Sequence, residues 1–116
     1  MNKSAKMKIL PPTQRGKQRY IKFRVISDGP IVCSDLDSGI WNTLLDFYGE
    51  FGASATDLWF IKNLYDSKQQ IGILRCSHKA VQSVLACLGL VERLGDMRIT
   101  IKILKVSGTI KGLGKE

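Results

Sequence analysis

The stretch RYIKFRVIS at residues 19–27 constrains the fold more than any other. Side chains on a strand change face at every residue, so Ile21, Phe23 and Val25 fall on one side and Tyr20, Lys22 and Arg24 on the other. A strand with one apolar face and one basic face must lie between a hydrophobic core and something that tolerates, or wants, positive charge.

The chain has 116 residues, 44% of them apolar and 24% charged, enough for one domain with its own core. Its net charge of +8 is unevenly placed: residues 1–24 carry eight Lys or Arg and no acid, residues 25–97 carry five against nine acids, and residues 98–116 carry five against one. Basic ends around an acidic middle point to a polyanionic partner for the ends, or to tails that keep the chain in solution.

Residues 1–18 lack both helical and strand periodicity. Pro11-Pro12 holds them extended and Gly16 loosens them, giving a basic N-terminal arm. Asp28-Gly29-Pro30 ends the first strand, and Ser34, with Asp35 and Asp37 behind it, supplies a helix start. Ile40, Trp41, Leu44, Leu45, Tyr48 and Phe51 recur at helical spacing up to a stop at Gly52. Leu58–Tyr65 and Gln69–Cys76 read as two strands joined at Asp66-Ser67-Lys68, with Gly72 marking a bulge or a close backbone approach. Ser77 caps a second helix with the stripe Val81, Val84, Leu85, Leu88 and Val91, ending near Gly95, and Ile99, Ile101 and Ile103 begin a last alternating strand.

The predicted order is β-α-β-β-α-β. It specifies an α+β, ferredoxin-like (RRM-like) sandwich: a four-stranded antiparallel sheet with two helices on one face. The expected organisation is an arm at 1–18, a single α+β domain at 19–106 and a basic tail at 107–116.

Catalytic chemistry finds little support. Cys33, Cys76 and Cys87 form no CxxC pair and His78 is the one histidine, which argues against a zinc site and a disulfide framework. A nucleophile needs a base within hydrogen-bond reach, and His78 beside Cys76 and Ser77 fits helix capping better. Asp35 with Asp37 complements a helix start, and Asp46 with Glu50 is a solvent-facing pair. KGLGKE has glycines and lysine but no helix after them, so it lacks the context of a phosphate loop. No apolar run approaches the roughly 20 residues of a bilayer span and no signal segment is apparent, so a cytoplasmic protein without membrane contact is expected. No catalytic residue, metal ligand or bound cofactor is expected in this chain.

Nucleic-acid binding is better supported. Tyr20, Lys22 and Arg24, joined by Lys102 if the helices cover the isoleucine face, offer phosphate contacts and one aromatic platform. The third strand, QQIGILRC, lacks the aromatics by which RNA-recognition motifs read bases, so contacts to phosphate and RNA shape come forward. Trp41, Phe51, Trp59, Phe60 and Tyr65 are taken as core. Leu58-Trp59-Phe60-Ile61, apolar on both faces, requires a cover from the chain's tail or a partner.

Three stretches, RYIKFRVIS, YGEFGASATDLWFIKNLYDSKQQIGILRC and LKVSGTIKG, resemble in order and spacing the small Pop-type protein subunit shared by archaeal and eukaryotic ribonuclease P. The LPPT lead is similar to the archaeal branch, and the likeness runs from about Leu10 to Lys111. The resemblance implies a noncatalytic subunit of the ribonucleoprotein endonuclease that removes the 5′ leader from precursor tRNA, the RNA and its Mg²⁺ supplying the chemistry. It implies as partners the catalytic RNA, precursor tRNA and a larger barrel-like protein subunit, and leaves self-association open. The RNA contacts it places on the arm and first strand are Arg15, Lys17, Arg19, Tyr20, Lys22 and Arg24, with Arg75, Lys105 and Lys111 in a second rank, and SGTI starts a turn or helix that packs back on the fold. The competing expectation is a protein-interaction module, docking through apolar surface around the first helix and the hairpin, with little direct RNA contact.

Overall fold

A computed structural model of the chain describes residues 17–114. The central strand β1, Gln18–Ser27, is the alternating stretch, and its burial follows the alternation: Ile21, Phe23 and Val25 are buried while Tyr20, Lys22 and Arg24 are not. The chain then forms helix α1 (Cys33–Ala55), strand β2 (Trp59–Phe60), a 3-10 turn (Lys62–Leu64), strand β3 (Ile71–Ser77) and a second 3-10 turn (His78–Ala80). Helix α2 (Val81–Leu90), strand β4 (Arg93–Leu94), strand β5 (Met97–Ser107) and helix α3 (Ile110–Leu113) complete it. The strands make one antiparallel sheet in the order β2-β3-β1-β5-β4.

α1 and α2 cover the face that carries Ile21, Phe23 and Val25. Leu36, Ile40, Trp41 and Leu44 of α1 and Val84, Cys87 and Leu88 of α2 meet Leu74 and Cys76 of β3 and Ile99 and Ile101 of β5 in one buried cluster. The spacing of these residues along each helix is that of a single apolar stripe, and the stripe is the reason the helices lie where they do. Phe23 packs edge-to-face on Phe60 with ring centroids 6.0 Å apart, and Phe60 does the same with Tyr65 at 6.1 Å.

The α+β class agrees with the sequence expectation, but the four-stranded, two-helix ferredoxin-like sandwich is too small a description. Residues taken as the end of the second helix instead leave it at Leu90, and Arg93–Leu94 pairs with Met97–Arg98 as a fifth strand. The two residues between, Gly95 and Asp96, make the tight turn, with Gly95 at φ 62°, a conformation glycine adopts at no steric cost. The strand expected over Leu58–Tyr65 is cut to two residues by the turn at Lys62–Leu64. The connection after it is as placed, with Asp66 bridging to Ile71 and its Oδ1 accepting from the backbone N–H groups of Lys68 and Gln69 at 2.9 and 3.2 Å.

Helix α1 differs in detail from its expected form. Its N-cap is Val32, which supplies no side-chain hydrogen bond, and Gly49 (φ 71°, ψ 179°) breaks it before a last short segment that runs on to Ala55. The stop expected at Gly52 is therefore a break three residues earlier. Past the break Phe51 is 95% exposed, where it had been assigned to the core.

Residues 107–116, expected as a tail, include a docked element in their described part. Thr109 caps α3 by accepting from the N–H of Gly112 at 3.0 Å, and Ser107 accepts from the N–H of Thr109 at 3.2 Å. Leu113 is buried, and its carbonyl accepts from Lys22 Nζ at 3.4 Å, so α3 lies on the sheet face opposite α1 and α2. This is the helix expected from SGTI, and it covers one end of the otherwise open face.

Among the described residues Gly72 is the one buried glycine. It sits opposite Phe23 in the β1–β3 ladder, and a Cβ there would stand 2.7 Å from Phe23 Cζ and 3.3 Å from Phe60 Cε1. Gly72→Ala is expected to destabilise the fold by about 1–3 kcal/mol, the usual cost of forcing one extra methyl into a packed core, read as a lower urea midpoint at unchanged slope. Leu113→Ala, which removes the anchor of α3, is expected to cost about 2 kcal/mol in the same measurement.

Candidate nucleic-acid interface

Cross-strand pairing fixes which side chains stand together on the face away from α1 and α2. In one row across the sheet Trp59 of β2 is opposite Arg75 of β3, Arg75 is opposite Tyr20 of β1, and Tyr20 is opposite Ser107 of β5. The next row is Ile73, Lys22 and Lys105, and the one after it Ile71, Arg24 and Lys102. At the far edge Arg93 of β4 is opposite Arg98 of β5.

A β-bulge brings Lys105 into this face. Ile99, Ile101 and Ile103 keep strict alternation, which alone would point Leu104 outward. The register shifts between Lys22 and Phe23, so that Phe23 pairs with Ile103, Lys22 with Lys105, and Leu104 is the extra residue. Without the shift Lys105 and Ser107 would follow the isoleucines onto the core side.

No Asp or Glu occurs in any of the five strands. Asp35, Asp37, Asp46 and Glu50 all lie on α1. The sheet is thus the positive layer and α1 the negative one. Three opposed pairs on the sheet, Lys22 with Lys105, Arg24 with Lys102 and Arg93 with Arg98, are like-charged. Such pairs weaken a ladder, and a bound polyanion turns that cost into attraction.

The other expected contact residues are placed as follows. Lys17 is exposed just before β1, and its carbonyl accepts from the N–H of His78 at 3.0 Å. Arg19 pairs with Cys76 and so falls on the helix side of the sheet, at its end, with Nη1 donating to the carbonyl of Gln18 at 3.0 Å; it does not join Tyr20, Lys22 and Arg24. Lys111 is exposed on α3, which sits on the open face. Arg15 lies outside the described residues. Sequence reasoning passed over Arg93 and Arg98, which are brought together by a hairpin that periodicity does not reveal; Trp59, read as core, is the exposed side of the stretch Leu58–Ile61 whose two apolar faces call for a cover.

Among the described residues no nucleophilic centre is assembled. Cys76 points into the core, where burial, with the Asp57 carboxylate adding, pushes its thiol up to about 11. Burial also raises Cys87, so neither is a thiolate near neutral pH. His78 is not the capping residue: Ser77 Oγ accepts from the N–H of Lys79 at 3.3 Å, and His78 Nδ1 lies 3.1 Å from the carbonyl oxygen of Lys17. Among the described residues no three His, Cys, Asp or Glu side chains cluster as metal ligands, and no helix is long and apolar enough to cross a membrane.

Residues 19–116 match the family model described as the Rpp14/Pop5 family. The ribonuclease P protein component 2 of Pyrococcus abyssi is 42% identical over 111 residues, spanning 96% of this chain and 92% of that protein. That of Pyrococcus furiosus is 41% identical over 113 residues, spanning 97% and 92%. A chain in the cryo-EM structure of yeast ribonuclease MRP superimposes with a TM-score of 0.62 at 18% identity, over 80% of this chain and 75% of that one, a likeness of fold. With the family model spanning nearly the whole described chain and relatives above 40% identity across its length, this protein belongs to the Rpp14/Pop5 family.

Proposed function

We propose that this chain is a noncatalytic, RNA-binding protein subunit of a ribonuclease P ribonucleoprotein, supporting a catalytic RNA in removing the 5′ leader from precursor tRNA. The names of its relatives supply the assembly. The observation that carries the RNA-binding part is the sheet itself: five strands without one acidic residue, with lysines and arginines opposed in pairs. Phosphates placed between Lys22, Arg24, Lys102 and Lys105 relieve the repulsion within the sheet while neutralising their own, so RNA and sheet stabilise each other. Arg75 and Lys111 extend the same surface, and Lys17 and, by sequence alone, Arg15 are proposed as further RNA contacts. In this proposal Mg²⁺ belongs to the RNA subunit, and the assembly works in the cytoplasm.

A second contact surface accompanies the first. Phe51 at 95% exposure and Phe47 at 60%, with the half-exposed Tyr48, lie on the acidic helix α1 around its break at Gly49. Aromatic residues in such a cluster are the usual core of a protein interface, and we assign this end of α1 to a protein neighbour in the assembly, the larger barrel-like subunit or a second copy. The RNA and protein readings then concern opposite layers of one domain and do not compete.

Salt titration of RNA binding tests the assignment of the sheet. Each phosphate contact steepens the fall of log K with log salt by roughly 0.7–0.9. Replacing Arg24, Lys102 and Lys105 together with Ala is expected to flatten that slope by roughly 2–3 units and to lower precursor-tRNA cleavage by the reconstituted ribonucleoprotein. An unchanged slope overturns the sheet as the RNA surface, and cleavage indifferent to the presence of the chain overturns the subunit role.

A further inference from the structure

Phosphate binding explains the lysines of the open face but leaves Trp59 without a task. This ring is 46% exposed on a two-residue edge strand, although a tryptophan with a place in the core would be covered by it. The docked helix α3 does not relieve it, because α3 rests on the Lys22 and Ser107 end of the face, on β1 and β5, and Trp59 is two strands away from β1. Between Trp59 and Tyr20 stands Arg75, directly opposite both. Its Nε is buried without a hydrogen-bond partner among the described residues, which marks a side chain laid down on the sheet and not one extended into water.

The row Trp59, Arg75, Tyr20 therefore sets the exposed Trp59 ring beside a planar guanidinium, with the half-buried Tyr20 beyond it, about 10 Å from Trp59 at the usual spacing of strands and at the end where α3 rests. Planar groups of this kind stack on nucleobases, and they do so only where a base is out of its own helix, since paired bases in an A-form duplex already have both faces covered. Trp59 also borders a cleft of about 380 Å³ lined by Asp37, Phe60, Ile61, Lys62 and Asn63. There the exposed Asn63 amide offers a donor and an acceptor suited to the edge of a base, while the almost wholly buried Asp37 carboxylate pairs with Lys62 at 3.5 Å. The carboxylate disfavours a phosphate at this end of the row, whereas phosphates suit the lysine rows beside it.

We propose that the Trp59–Arg75 pair of this row is a stacking site for an unpaired nucleobase, so that the sheet binds a single-stranded segment of RNA with a base on Trp59 and Arg75 and its phosphates toward the exposed Arg24 and Lys102. This rests on the RNA-binding reading given above and deepens it: the lysines bind any RNA, and this row selects RNA that is not paired.

The test uses the full chain with an unstructured ten-nucleotide RNA and with a duplex RNA of the same length. Single-stranded RNA is expected to quench the emission of Trp59 and to shield it from acrylamide, while the buried Trp41 is unaffected and reports that the fold is intact. Trp59→Ala is expected to weaken binding of the single strand roughly 5- to 150-fold and to leave the duplex within about twofold. Trp59→Phe keeps most of the affinity, and Arg75→Lys, which retains the charge but loses the plane, weakens the single strand and not the duplex. Equal losses on the single strand and the duplex, or none on either, overturn the stacking site while the RNA-binding reading stands. Shielding of Trp59 that follows protein concentration instead of RNA overturns it in favour of a contact between copies of the chain. A wild-type chain that binds neither RNA overturns the RNA-binding reading itself.

Discussion

Everything in this fold hangs on β1 being paired on both sides while its two faces differ in kind. Flanked by β3 and β5, it has no freedom to shift. A slip of one residue would send Ile21, Phe23 and Val25 into solvent and Lys22 and Arg24 into the core. Burying an aliphatic or aromatic side chain of that size contributes about 1.5–3 kcal/mol, and burying a lone charge costs several times that. The register of the sheet, and with it every neighbour relation on the open face, is settled by that difference.

The same partition separates charge by layer. A sheet without acids faces one way, and a helix with the exposed Asp35, Asp46 and Glu50 faces the other. In the proposed assembly a domain of this size holds two partners of opposite preference at once, a polyanion on the sheet and an apolar or basic protein surface on α1. The break at Gly49 matters to the second, since it turns the last segment of α1 and leaves Phe51 standing clear of the core.

Local pattern made the first strand, both helix stripes and the last strand legible in the sequence, because each buries residues at its own period. The hairpin of β4 and β5 was not, because two-residue strands carry no period and their signal is the single Gly95. Arg19 was grouped with Lys22 and Arg24 by its charge, yet alternation, applied strictly, already puts it on the side of Ile21. The position of Lys105 could not be read at all: it depends on one extra residue, Leu104, taken up against a neighbouring strand. Trp59 was half legible: the rule that tryptophan is buried put it in the core, while the apolarity of Leu58–Ile61 on both faces marked one side as needing a cover.

The opposed lysines and arginines tie the chain to its ionic surroundings in two contrary senses. In the free protein, dissolved ions screen Lys22 from Lys105 and Arg24 from Lys102, so concentrated electrolyte firms the sheet. In a complex with RNA the identical ions compete for the phosphates and loosen the union. A protein built this way folds most securely where it binds least, and it holds its partner best in the dilute medium where, alone, it is weakest.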